Sequence, residues 1–168
     1  MRVSDYIFQE LAKHVKHIFF LPGGGSMYLC DSLGHTEGIT PINCLHEQAA
    51  AFAAEAYSQF AGLGVCVVTS GPGATNAITG CAAAWCDSRP VLFISGQCKS
   101  SDRSTGQRCK GVQEIDIISI VKPITKFATR VLAHNAKTML KEAIEIAQTP
   151  RQGPAWLDIP LDVQGAEI

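Results

Sequence analysis

Residues Asn43–Asn76 read NCLHEQAAAFAAEAYSQFAGLGVCVVTSGPGATN. The stretch holds a short polar knot (His46, Glu47, Gln48), an alanine-rich helix, an apolar strand and a glycine turn. The helical pattern begins at the polar knot, which predicts a strand-to-helix junction at Glu47. The strand Val65–Val68 runs into Thr69-Ser70-Gly71-Pro72-Gly73, a second such junction. In an open parallel sheet these junctions lie along the carboxyl edge, where ligands bind. One carboxylate and one glycine turn are therefore expected on the same rim.

Outward from this stretch the same alternation continues. Toward the N-terminus, Ser4 is placed to cap a helix with Ile7, Phe8, Leu11 and Val15 on one face. The apolar run His17–Leu21 suits a strand buried on both faces. Pro22-Gly23-Gly24-Gly25-Ser26 breaks it, a short helix Met27–Leu33 follows, and Ile39–Cys44 is the second strand. After the third strand, a helix is predicted from Gly73 to about Cys86, then a strand over Val91–Ser95. The polar segment Gly96–Val112 has no period, and loops of that length are usually functional or mobile. A short helix near Glu114–Val121, a strand Ile124–Val131, a helix Asn135–Gln148 and a last strand Ala155–Ile159 complete the pattern. The expected fold class is α/β: a three-layer sandwich, its mostly parallel sheet of about six strands covered by helices on both faces.

Composition narrows the partners. At 168 residues the chain can bury one real core. A net charge of −1 offers no basic excess to replace phosphate counterions, so no nucleic-acid partner is expected. No apolar run approaches the roughly 20 residues of a membrane span, and Asp5 and Glu10 interrupt the apolar run that a leader peptide would need. The seven cysteines lack zinc-ligand spacing and read as buried, reduced thiols of a cytoplasmic protein. No metal-ligating set is assigned.

Each candidate site feature has two readings. By position, Glu47 is a helix N-terminal glutamate favoured by the helix dipole. By surroundings, it is a carboxylate desolvated by Leu45 and the alanine run, with raised proton affinity unless a cation or a donor meets it. That is how an acid/base group is tuned. The turn Ser70-Gly71-Pro72-Gly73 serves either as a tight strand–helix connection or as a place where a ligand approaches the backbone. Asn76 stands where a dinucleotide fingerprint would have its third glycine, and the Gly-Lys-Ser/Thr of a phosphate loop is absent. Gly23–Gly25 is either a flexible loop or a third feature of the same rim. Gln97, at the end of the fourth strand, is a site candidate, whereas Lys99, Arg103, Arg108 and Lys110 read as solvated loop charges. There is no nucleophile elbow and no second acid beside Glu47.

PGGG, HEQAAAFAAEAY, VVTSGPGATN, DSRPVLFISGQ, GVQEIDI, VKPITK and GPAWLDIPLDVQ occur in this order. Together they resemble the N-terminal, pyrimidine-binding domain of the thiamine-diphosphate-dependent enzymes of the acetolactate synthase group. The resemblance implies the thiamine-diphosphate-binding fold over residues 1–162, with 163–168 as a linker toward a central domain. It implies that Glu47 hydrogen-bonds the ring nitrogen of the cofactor's aminopyrimidine and favours the imino tautomer, which generates the ylid that attacks a 2-keto acid. It implies that Pro22, Gly23, Gly24 and Gly25 approach the pyrimidine's amino group. Ser70, Gly71, Pro72, Gly73 and Asn76 would wall its pocket, and Gln97 would stand on the substrate side as a second catalytic residue.

The same resemblance divides the work between polypeptides. Family members hold the diphosphate and Mg²⁺ through a Gly-Asp-Gly motif of a second domain, and these residues contain no such motif. FAD, carried by the middle domain of true acetolactate synthases, is left open. The family implies a homodimer or tetramer, with Ala49–Ala61 and Ala74–Ala84 as small-residue faces for association. Three readings follow: an N-terminal domain of a longer acetolactate synthase-like enzyme acting on 2-keto acids, inactive alone; a separate subunit of a split decarboxylase; and a non-catalytic association domain. Val112 stands where many members have an aromatic residue before the Gln-Glu pair.

Overall fold

The computed structural model describes residues 1–168. Six strands form one sheet in the order β2-β1-β3-β4-β6-β5, and every neighbouring pair is parallel. The strands are β1 (His17–Phe20), β2 (Thr40–Asn43), β3 (Gly64–Val68), β4 (Val91–Gln97), β5 (Phe127–Arg130) and β6 (Ala155–Pro160). The helices are α1 (Val3–Leu11), α2 (Met27–His35), α3 (Glu47–Ala61), α4 (Pro72–Asn76), α5 (Ile78–Cys86), α6 (Ile117–Val121), α7 (Ala136–Gln148) and α8 (Leu161–Gln164). The chain is therefore the expected three-layer α/β sandwich, and its sheet is wholly parallel.

Alternation along the central strands builds two cores. Val65, Val67, Leu92, Ile94, Ala155, Leu157 and Ile159 face α1, α2, α7 and α8. Cys66, Val68, Val91, Phe93 and Trp156 face α3, α4, α5 and α6. Phe93 and Trp156 stack at 4.9 Å between ring centroids. Continuously apolar strands follow, since both of their faces are covered. At β1 that expectation fails: Ile18 is buried while Phe19 and Phe20 are half-buried, because one neighbour is the short edge strand β2.

Small residues set the spacing of α3 and α5. A methyl group on Gly80 would lie 3.0 Å from the Ala51 carbonyl carbon, so the two helices touch almost backbone to backbone. Ala50, Ala51, Ala54, Ala74, Ala77 and Ala84 are spent inside the chain's own core, which corrects their expected place at an interface. An apolar stripe remains outside on α3: Ala49, Phe52, Ala56 and Phe60 are exposed, Phe60 by 92%.

Other expectations change locally. Arg2, not Ser4, caps α1; its own N–H donates to Asp5, and Ser4 lies within the helix, where its hydroxyl accepts from Ser32. The helix expected over 73–86 is two, because Ala77 closes a tight turn onto Ala74 and ends α4 at Asn76. Lys122–Ile124 is a 3₁₀ turn around Pro123, which delays β5 to Phe127. The tail also packs. Gln164 is fully buried, Arg2 and Glu167 form an antiparallel bridge, and the Ile168 N–H donates to Met1 O at 3.0 Å. Cys66, Cys81 and Cys98 are buried, but Cys86 and Cys109 are exposed; all seven are free thiols. No helix is long and apolar enough to cross a membrane.

Candidate functional site

The chain leaves β1 toward β2 on one side and returns to β3 on the other, so the loops after β1 and β3 diverge at a topological switch point. Such points open ligand crevices at the carboxyl ends of the strands. Here the two loops lie in contact. A methyl on Gly23 would stand 2.5 Å from Thr69 Cβ, and one on Gly25 would stand 2.8 Å from Ser70 Cβ. The Gly25 N–H donates to Thr69 Oγ1 at 3.1 Å, and Gln164 Nε2 donates to Gly25 O at 2.8 Å. Gly24 has nothing within 4 Å of where a side chain would begin, and Pro22 is exposed.

Glu47 is the first residue of α3, beyond the end of β2. The helix is capped by His46, whose Nδ1 accepts the Gln48 N–H at 3.1 Å. Leu45 beside it is 97% exposed, whereas Glu47 is only 8% exposed. The donor that a desolvated carboxylate requires comes from Asn76, whose Nδ2 donates to Oε2 at 3.0 Å. The other oxygen, Oε1, faces Gly73, where a methyl group would stand 3.2 Å away. One carboxylate oxygen is thus held by the protein, and the other is kept clear of side chains. A flat heterocycle with a ring N–H suits that open oxygen, so the residues present fit the pyrimidine end of the expected cofactor. The diphosphate end is different, since no group of His, Cys, Asp or Glu side chains here could hold a metal ion.

Gln97 joins a second cluster. With Gly24, Gly25 and Ser70 it lines a cleft of about 230 Å³, whose other walls include Cys98, Lys99, Val112 and Gln113. Glu47 is not among the residues lining it. The Gln97 amide is taken by the protein at both ends: Nε2 donates to Ile115 O at 2.9 Å and to Asp158 Oδ2 at 3.2 Å, and Oε1 accepts the Cys98 N–H at 3.0 Å. Asp158 is fully buried and also receives Ser95 Oγ at 2.8 Å and Arg130 Nε at 3.3 Å. Burial pushes its carboxyl above the ordinary value, against the pull of Ser95, Gln97 and Arg130.

The long polar loop returns onto the rim. Its last residues before α6 carry Gln113 at φ 54°, a conformation that costs a non-glycine residue on the order of 1–3 kcal/mol. The Gln113 carbonyl lies against Gly71, itself at φ 55°, and a methyl on Gly71 would overlap that oxygen. Only glycine satisfies both demands at position 71. Glu114, expected in a helix, instead accepts backbone N–H groups of Ser104 (2.8 Å), Lys110 (2.9 Å) and Gly111 (3.0 Å). Led by Lys110, these bonds hold its carboxyl at about 2. The helix starts later because Asp116 caps it through the Ser119 N–H.

Sequence reasoning missed Asp158, Gln113 and Gln164. A charged residue inside the apolar run AWLDIP was a usable signal for the first. The other two lie inside the motifs GVQEIDI and GPAWLDIPLDVQ, but their roles depend on contacts across 42 and 139 residues of chain, Gln113 to Gly71 and Gln164 to Gly25.

The rim thus carries a carboxylate at the start of a helix, with one oxygen tied to an asparagine and the other open over a glycine, at a switch point. The family model described as thiamine pyrophosphate enzyme, N-terminal TPP binding domain, matches residues 1–120, and the chain belongs to that family. It is 41% identical over 168 residues to an acetolactate synthase of Arthrospira platensis, covering 96% of this chain and 28% of that protein. It is 42% identical over 168 residues to the acetolactate synthase large subunit of Lactococcus lactis subsp. lactis (strain IL1403), covering 98% and 28%. It is 40% identical over 171 residues to a probable acetolactate synthase large subunit of Methanocaldococcus jannaschii, covering 100% and 28%. The chain thus spans little more than a quarter of the length of these relatives.

Proposed function

We propose that this chain supplies the pyrimidine-binding half of a thiamine-diphosphate site in a cytoplasmic enzyme that decarboxylates a 2-keto acid such as pyruvate and joins the product to a second carbonyl compound. Thiamine diphosphate, when bound, supplies the electron sink for that chemistry. The residues of this chain do the rest from their own positions. Asn76 orients Glu47, and Glu47 Oε1 accepts a ring N–H and holds a proton there. In low-dielectric surroundings such a bond is stronger than in water. Gly23, Gly25 and Gly71 let the rim loops pack against Thr69, Ser70 and Gln113, Gly73 leaves Glu47 Oε1 uncovered, and Gln97 holds the wall of the substrate-side cleft. The diphosphate, with Mg²⁺, falls to another domain or subunit, and the assembly is a dimer or a larger oligomer. The exposed stripe Ala49–Phe52–Ala56–Phe60 beside Glu47 suits such a contact.

The observation that carries this reading is the Glu47 carboxylate, bonded by Asn76 on one oxygen and open on the other. The test is Glu47→Gln in the full assembly, assayed for product formation from pyruvate together with thermal unfolding. The amide cannot take up the proton, so a rate loss of about 10²–10⁴ is expected with little change in melting temperature. Unchanged activity would sink the catalytic role and leave the fold as an association module.

A further inference from the structure

Ser95, Asp158 and Arg130 lie opposite one another across β4, β6 and β5, where the register pairs Ser95 with Asp158 and Asp158 with Arg130. Ser95 and Arg130 both donate to the Asp158 carboxylate, and Trp156 Nε1 donates to Ser95 Oγ at 2.9 Å. A buried carboxylate with this many donors is a rigid post. What it supports is Gln97. Asp158 Oδ2 and Ile115 O share the Gln97 amide nitrogen, one on each hydrogen, and the Cys98 N–H fixes the amide oxygen. The amide cannot turn over without setting its oxygen against a carboxylate and a carbonyl.

Ile115 O is the far end of the loop that began at Gln97. Two residues before it, Gln113 is pressed onto Gly71 in a left-handed conformation. Val112 beside it is 83% exposed and forms part of the cleft wall. A strained residue persists only where its surroundings hold it: the Glu114 bonds tie the loop to itself, and the Gln97–Ile115 bond ties its helix-side end to β4.

We propose that Asp158 is a positioning residue that acts through Gln97: it fixes the return of the 98–116 loop, and so seats the Val112–Gln113 wall against the Ser70–Gly71 turn. Gln97 is then a strut of the cleft, not a group that touches substrate. The consequence for substrate rests on the function proposed above; the clamp itself does not.

The experiment uses the full-length protein with Asp158→Asn, Gln97→Met and both together. Asparagine sets an N–H₂ or a weaker acceptor against Gln97, and methionine removes the donor to Ile115 while leaving Asp158 its bonds to Ser95 and Arg130. Limited trypsin digestion, with no cofactor or substrate present, reads cleavage at Arg108 in the loop against Lys141 on α7. Cleavage of a transiently open segment follows its open population. Each single variant is expected to raise cleavage at Arg108 about tenfold with Lys141 unchanged, and the double variant to add nothing further. Unchanged cleavage at Arg108 in Gln97→Met overturns the proposal, even if Asp158→Asn does not fold. Equal gains at Lys141, or effects that multiply in the double variant, overturn it as well. In the assembled enzyme the single variants are expected to raise KM for pyruvate about tenfold with kcat within about twofold. Equal losses in kcat and kcat/KM would instead place Gln97 on the transition state and end the positioning role. Failure of the function itself is read separately, from Glu47→Gln.

Discussion

Replacing Gly96 by alanine separates a backbone seat from an open loop. Gly96 stands at the end of β4 with the glycine loop directly on top of it. An added methyl would overlap Gly25 O, lie 2.5 Å from its carbonyl carbon and 2.9 Å from Ser26 N. Carbon atoms pack at about 3.5–4.0 Å, so the Gly25 peptide would have to retreat by about 1 Å. It cannot do so freely, because Thr69 holds its N–H and Gln164 holds its carbonyl. Overpacking of a well-packed site costs about 1–3 kcal/mol, and with a pinned backbone as the neighbour we expect about 3 kcal/mol. For a chain of this size that is a fall in melting temperature of about 6–12 °C. A 1 Å displacement beside the site would add a loss of about 10²-fold in activity. The control is Gly24→Ala, one residue away in the same loop, where nothing lies within 4 Å. It should change stability by no more than about 0.5 kcal/mol. Thermal unfolding by circular dichroism decides. If Gly96→Ala melts within about 2 °C of the wild type, a shift smaller than about 1 kcal/mol would give, the steric reasoning is wrong. If Gly24→Ala loses as much as Gly96→Ala, the loop is not seated where the contacts place it.

Three further outcomes follow from other contacts. Glu114 is held at about 2, below its ordinary 4.5, by the loop N–H groups, so it favours the closed loop above pH 4.5 and loses that contribution as pH falls from 4.5 toward 2. The amide resonances of Ser104, Lys110 and Gly111 should therefore stay unshifted through pH 4 and then move together, and a common midpoint near 4.5 would refute the bonding. Burial pushes the Cys66 and Cys81 thiols up, while Cys86 and Cys109 are exposed. Iodoacetamide under native conditions should label the exposed pair and spare the buried pair until the chain unfolds; early labelling of Cys66 on a mass map would contradict the packing. The 168-residue chain alone should bind thiamine diphosphate weakly, since it has no metal-binding cluster to anchor the charged end, and submicromolar affinity by calorimetry would count against a shared site.

What the sequence determined by itself was the order of elements and the rim on which they end. Apolar runs with a period of two or none, alternating with helical spacing, leave a parallel sheet as the way to bury both faces. Glu47 at a helix start and Ser70–Gly73 after a strand follow from local pattern, because each junction is written within a few adjacent residues. The tertiary structure decided which oxygen of Glu47 is bonded and which is open, since Asn76 is 29 residues away along the chain. It also decided that Gln97 is gripped by Asp158, that the tail seats the glycine loop through Gln164, and that most of the alanines pack inward between α3 and α5. These are contacts between groups far apart in sequence, brought together only by the strand order β2-β1-β3-β4-β6-β5. The polar residues of β2 (TPIN) and β5 (FATR) suit the edges, but no local periodicity orders β1, β3, β4 and β6, which could pair in any sequence until the helices on both faces are packed.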